Sequence, residues 1–465
     1  MLIYLLFVLL LVLLVLSYFH FKKDIVHPSV LFLAVYTFSV FCALFNVEKW
    51  NIDLSYTTFL ILLGGALEFL IISLVVDYFF KKKKIPKEVS SEESKNIELF
   101  DKQEKKLDIF SIILIIYDSL ILGILIYNIV KIASSFGSFS GISDMLNIYK
   151  DATSYTTNAR LPKYVTILLK PFVASTYICY YVFLKRILVT KFETKKKFFK
   201  LILKKSFHLI PILLFIISTF LQSNREGIII VVFNLFIMTV IFWYKKNYWT
   251  KEIKPSFILK IIGVCIIGLI VFFFSAKWVG RENEKGMFDY ITFYCGGSIE
   301  CLNQYVKEPT DISIVRGEET FYNLIHTLDS FKITNYDLTS KMTVHKEFRY
   351  YNGEMIGNVY TGYRRWLHDY GIVGMIILQF IFATIINLLY YSTKYTNNKK
   401  ILNNFLIILY SYLSYTIYLH SIDDYFYFDV LGQASFAVIA CLIIEYLIVC
   451  KIEKKLFLKK KFYNN

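Results

Sequence analysis

The sequence predicts an all-α integral membrane protein with about eleven transmembrane helices. Three observations predict it. Of 465 residues 56% are hydrophobic, and the mean hydropathy of +0.52 is far above what a soluble core of this size needs. Apolar runs of roughly 18 or more residues recur, the length at which an α-helix crosses about 30 Å of hydrocarbon. The formal charge of +16 is gathered in alternate loops rather than spread along the chain.

The runs place spans near 2–19, 29–47, 55–79, 109–133, 164–184, 208–221, 227–243, 257–276, 370–391, 401–419 and 430–450. Residues 1–19 have the apolar length of a signal peptide but no basic n-region and no small-residue cleavage site, so a retained first helix is expected. Three N-terminal helices (1–80) are followed by a charged linker at 81–108, whose Lys, Ser and Glu are too polar to form a core. Five central helices occupy 109–276, a long loop 277–369, three C-terminal helices 370–450 and a basic tail 451–465.

Orientation follows from the lysines. About 33 Lys and Arg fall in one set of loops, including Lys22, Lys23, the run Lys81 to Lys84, the block Lys185 to Lys205, Lys245, Lys246, Lys399, Lys400 and the tail. Outward loops such as 48–54 and 222–226 carry one each. Positive charge in short loops marks the cytoplasmic side, so the N-terminus is expected outside, the C-terminus inside, and 277–369 outside. No basic stripe accompanies a nucleic-acid fold, and anionic membrane lipids are the expected partners of these lysines. Five cysteines (Cys42, Cys179, Cys265, Cys441, Cys450) lie in hydrophobic runs as small apolar residues, while Cys295 and Cys301 lie in the long loop, as a disulfide or as free thiols.

No phosphate-cradling glycine loop, no Gly-x-Gly-x-x-Gly, no Cys-x-x-Cys, no His-Glu-x-x-His and no Asp-x-Asp pair occurs. An enzyme built this way needs a substrate that arrives activated through the membrane, and neither cofactor nor metal is expected. Arg225, in the turn Gln222 to Gly227 after a short span, is either a phosphate ligand or a residue paired locally with Glu226. Lys277, Arg281 and Lys285 share one helical face at the start of the long loop and form either a headgroup anchor or a diphosphate clamp. The loop ends in Gly357-Asn358-Val359-Tyr360-Thr361-Gly362-Tyr363-Arg364-Arg365-Trp366-Leu367-His368-Asp369-Tyr370-Gly371-Ile372-Val373-Gly374. Its arginines, His-Asp pair and Asn exceed what an aromatic interface belt requires, and Gly371 and Gly374 are expected to let the helix approach a neighbour.

This stretch resembles the Wzy-type O-antigen polymerases, the oligosaccharide repeat-unit polymerases of bacterial surface polysaccharide synthesis, through Asn358-Val359-Tyr360-Thr361 and Asp369-Tyr370-Gly371-Ile372-Val373-Gly374. The likeness extends to an Arg-containing turn, met by Arg225, and to a long outward loop before the last helices. It implies a GT-C-like fold and polymerisation of lipid-diphosphate-linked repeats of O-antigen, capsule or exopolysaccharide, outside the bacterial cytoplasmic (inner) membrane. The enzyme is then a metal-independent glycosyltransferase, its donor an undecaprenyl-diphosphate-linked oligosaccharide, and a chain-length regulator protein is a further partner. Arg225, Arg281, Arg364 and Arg365 would hold the diphosphate. Asn358, Tyr360 and Trp366 would hold glycan, and a base would come from Glu354, His345, His368 or Asp369. In the related O-antigen ligases a His precedes the Asn, where this chain has Gly357, so the base is not transferred from them. An O-antigen ligase-like glycan transferase and a flippase or transporter of lipid-linked oligosaccharide are the alternatives. The intramembrane charges Glu68, Asp118 and Lys170 bear on the latter.

Overall fold

The computed structural model describes residues 1–82, 97–155, 159–189, 195–254, 286–309, 315–334, 346–395 and 400–462, with a few isolated positions between 255 and 285. The helices are α1 (Leu2–His20), α2 (Pro28–Leu44), α3 (Tyr56–Lys81), α4 (Ile97–Phe136), α5 (Ile142–Tyr155), α6 (Lys163–Val189), α7 (Lys195–Lys205), α8 (Ile210–Leu221) and α9 (Arg225–Lys246). After these come α10 (Met287–Lys307), α11 (Tyr322–Ser330), α12 (Tyr363–Tyr395), α13 (Lys400–Leu413), α14 (Tyr415–Tyr418) and α15 (Gln433–Phe462).

Eight helical stretches among the described residues are long and apolar enough to cross a membrane: Leu2–His20, Tyr56–Lys81, Glu104–Phe136, Lys163–Ile187, Phe199–Leu221, Arg225–Lys246, Tyr363–Tyr395 and Gln433–Glu453. The chain is a multi-pass membrane protein. α2 is a shorter apolar helix, and the expected span 401–419 is divided into α13 and α14 at Ser414. The expected span 257–276 lies outside the described residues apart from isolated positions.

Local chemistry sets several boundaries. Ser55 caps α3 by accepting from the Thr58 backbone N–H at 3.0 Å, and Asn224 caps α9 by accepting from Gly227 N–H at 3.0 Å. Each satisfies a donor that the first helical turn leaves unpaired. α2 begins at Pro28, whose fixed φ suits a first turn and whose missing N–H costs nothing there.

α12 packs along α3, α1 and α10 pack on α2, and α15 packs on α6. The N-terminal helices therefore share one core with the C-terminal ones. Phe32 stacks on Phe69 at 4.3 Å between ring centroids, Phe69 meets Phe382 edge-on at 5.8 Å, and Gln379 donates to the Gly65 carbonyl at 3.2 Å. Close approach is made by Gly65, where a Cβ would lie 2.1 Å from the Tyr363 hydroxyl, and by Gly296, where it would lie 2.5 Å from the Ala43 backbone nitrogen.

Gly371 and Gly374 do not play the part expected of them. Gly371 has open space around it and a φ of +65° with ψ −168°, so it breaks α12 into an outer turn, Tyr363–Tyr370, and a membrane helix. Such a backbone is open to glycine and strained for other residues. A Cβ on Gly374 would collide with Tyr370 of the same helix at 2.0 Å.

The long loop is more regular than its composition suggests. It contains α10, α11 and an antiparallel hairpin of β1 (Arg349–Tyr351) and β2 (Glu354–Gly357). Asn352 (φ +47°) and Gly353 (φ +81°) form its two-residue turn, the Asn-Gly pair that a tight hairpin favours. Cys295 and Cys301 lie on the one helix α10 and are free. The disulfide is not formed, and the Cys301 thiol instead contacts the Gly357 carbonyl at 3.5 Å.

Candidate functional site

The outer turn of α12 presents Arg364, Arg365, Trp366, His368 and Asp369 to segments around 315–321, 346–347 and 420–430. Arg364, only 1% exposed, pairs with Glu319 at 2.8 Å and Glu347 at 3.1 Å. Its guanidinium lies 3.8 Å from the centroid of the Tyr305 ring, a cation–π contact strengthened by burial. Arg365 forms a forked pair with Asp423 at 2.7 and 2.9 Å, donates to the Glu319 carbonyl at 3.1 Å, and lies over Phe428. Lys346 approaches the same Asp423 at 2.8 Å.

The electrostatics follow from burial and pairing. Burial alone would raise Asp423, but Arg365 and Lys346 outweigh it and hold the carboxyl well below the usual range. Burial pushes the Lys346 ammonium down to about 8, against the pull of Asp423, and burial raises Glu319 despite Arg364. Glu347 sits below its usual value because Arg364 and its hydrogen bonds outweigh partial burial.

The segment 420–430 is the keystone of this arrangement. Trp366 donates its indole N–H to Asp424 at 2.7 Å. The other oxygen of Asp424 accepts from the Phe426 and Tyr427 backbone, each at 3.0 Å. Gly362 donates its N–H to the His420 carbonyl at 2.8 Å, and the His420 ring meets the Tyr36 hydroxyl through Nδ1 at 2.7 Å. A Cβ at Gly362 would sit 2.5 Å from Nε2 of that ring, so only glycine lets the two strands of chain touch. Tyr425 donates to Glu226 in the first turn of α9, while the neighbouring Arg225 donates to the Tyr290 hydroxyl of α10 at 3.0 Å. Arg225 is thus not closed on Glu226 alone.

The expected residues separate into groups. Arg225, Arg364, Arg365, His368 and Asp369 lie on or beside the cluster. His368 stands 3.4 Å from Glu318 and 3.8 Å from Glu319. Asp369 accepts from the backbone N–H of Thr320 at 2.7 Å and Glu319 at 3.4 Å, so it holds the loop that carries Glu319. Glu354 is exposed on β2, 3.6 Å from Lys49. Tyr360 and Trp366 are fully buried and unable to stack on a sugar in this conformation. Tyr360 accepts from Arg349 at 3.1 Å. Asn358 is half-buried in the bend after β2. Arg281, His345 and the cationic rim Lys277 and Lys285 lie outside the described residues.

The sequence reading did not single out Glu319, Lys346, Glu347, His420, Asp423 or Asp424. Asp423-Asp424 follows an apolar run and is the one signal that could have drawn attention, as an acidic pair between two spans. No family model, no curated protein and no solved structure matches this chain.

Proposed function

We propose that the chain transfers glycan between lipid-diphosphate-linked oligosaccharides at the outer face of a bacterial cytoplasmic membrane, as a repeat-unit polymerase. The observation that supports it most is convergence: the Arg225 turn and the Arg364–Asp369 stretch, distant in sequence, both end on 423–425, through Glu226 with Tyr425 and through Arg365 with Asp423. The N-out, C-in orientation expected from the lysines puts this cluster outside.

The arginines are already held by carboxylates, so the donor diphosphate binds by exchanging with them. A diphosphate that takes Arg364 from Glu319 and Glu347 gains forked, permanently charged donors in a site lined by Tyr305, Tyr360 and Phe428, where fixed charge acts strongly. The released Glu319, raised by burial, accepts the proton of the attacking hydroxyl. The new bond joins that oxygen to the donor's anomeric carbon, the bond from that carbon to the diphosphate oxygen breaks, and the lipid diphosphate leaves with the bonding pair. His368, against both Glu318 and Glu319, tunes that acid or relays its proton.

Purified protein given a lipid-linked repeat unit in excess EDTA tests this reading. Polymer is expected in EDTA from wild type, with single repeats only from Arg225→Ala and from Glu319→Gln. Activity lost in EDTA and restored by magnesium would refute the metal-free mechanism, and full-length polymer from both variants would refute the site. Cysteine labelling that placed 346–360 in the cytoplasm would remove the reading altogether.

A further inference from the structure

We infer that Asp118 holds a proton in the folded protein, as the undissociated acid, inside the membrane bundle where α15, which carries Glu445, packs on α4. This inference is independent of the glycan-transfer reading. Asp118 lies near the middle of the span Glu104–Phe136 and is fully buried, and Glu445 lies near the middle of Gln433–Glu453 and is 6% exposed. α4, α6 and α15 pack on one another around them, and the two acids are within electrostatic reach of each other.

Counting hydrogens gives the first argument. The Ser175 hydroxyl lies 2.6 Å from Oδ2 of Asp118 and 2.8 Å from the Phe172 carbonyl oxygen. A hydroxyl has one hydrogen, and a carbonyl and a carboxylate can only accept. Both contacts become hydrogen bonds when Asp118 carries the proton and donates to Ser175, which donates to Phe172.

Desolvation gives the second argument. Oδ1 of Asp118 and Oε2 of Glu445 are buried with no hydrogen-bond partner among the described residues. An ionised carboxylate needs a cation or several donors in such a place. The groups around the two acids supply none: α4 adds Tyr117 and α6 adds Cys179, while α15 adds Cys441. Lys170 on α6 lies toward Asp429 and Cys441 rather than toward the two acids. α8, packed on α4, has no titratable side chain. At the end of α6 and on α7, Arg186 and Lys205 are engaged with Glu104 and Asp108.

The test is carbodiimide labelling of the whole protein in lipid nanodiscs, read by peptide mass spectrometry, because dicyclohexylcarbodiimide reacts with undissociated carboxyls in apolar surroundings. Label on Asp118 or Glu445 is expected at neutral pH, falling as pH rises and unaffected by sodium, potassium or lithium. Infrared spectra should show an undissociated acid band that Asp118→Asn removes, with the melting temperature of that variant close to wild type. Absence of both label and band at neutral pH would overturn the inference. Protection by an alkali cation at constant pH would overturn it too, by making this a cation site. Labelling is read on the wild type, so a variant that failed to fold would leave the test intact.

Discussion

Asp423, whose side chain is 20% exposed among the loops, and Asp118, fully buried within the membrane bundle, are acids whose surroundings differ in kind. Asp423 has a forked arginine and a lysine within 3 Å. Asp118 has one serine within hydrogen-bond distance and no cation. Where cations are at hand the carboxyl is held charged; where none is present, neutrality is the affordable state. The loop region is therefore a network of paired charges, while Asp118 can only gain or lose a proton.

The largest effect is expected from breaking the loop network. Arg365→Ala leaves the partly buried Asp423 with Lys346 alone and should cost about 1.5–3 kcal/mol, the worth of a hydrogen bond to a charged group, measured by thermal denaturation in detergent. A loss below about 1 kcal/mol would show that water reaches and screens the pair, and would erase the contrast with Asp118.

Overpacking comes next. Gly362→Ala drives a methyl group against His420, whose ring cannot yield because it stacks on Phe382 and is tied to Tyr36, and should cost about 1–3 kcal/mol. Trp366→Phe removes one donor from Asp424 and should cost about 1–2 kcal/mol. Wild-type stability restored by a second change at Asp424 would tie the loss to that bond.

A pH series sharpens the comparison further. Asp423 is depressed in the fold, so the unfolded chain binds more protons just below its own value of about 3.9. Its stabilisation is complete above about pH 4 and disappears as pH falls through the lower folded value. Asp423→Asn should be less stable at neutral pH and lack that acid-side slope. The smallest effect is expected of Asp118→Asn, below about 1 kcal/mol at neutral pH, because the amide keeps a donor for Ser175. A loss as large as that of Arg365→Ala would mean that Asp118 is charged.

How much of this was legible in sequence depended on range. Hydropathy located the eight membrane-length helical stretches among the described residues, because the length of a span is imposed by lipid and shows in consecutive residues. The break at Gly371 did not show, since a glycine serves equally for close packing or for positive φ, and only the fold decides between them. Arg225, Arg364 and Arg365 stood out because charge at a membrane interface is conspicuous. Their partners did not: Glu319, Glu347 and Asp423 look like ordinary loop acids until the chain brings 315–321, 346–347 and 420–430 together. The burial of Tyr360 and Trp366 was hidden for the same reason.

Gly371 has a mechanical consequence. An α-helix transmits a twist or tilt because each turn is bonded to the next, and the ladder fails where one residue leaves the helical region. The direction of Tyr363–Tyr370 is accordingly set by its own ties to Asp423 and to the Thr320 backbone, not by the axis of the membrane helix below. If those ties are exchanged for a ligand's, the turn can re-aim by rotation about a single glycine, and the lipid-embedded bundle need not shift with it.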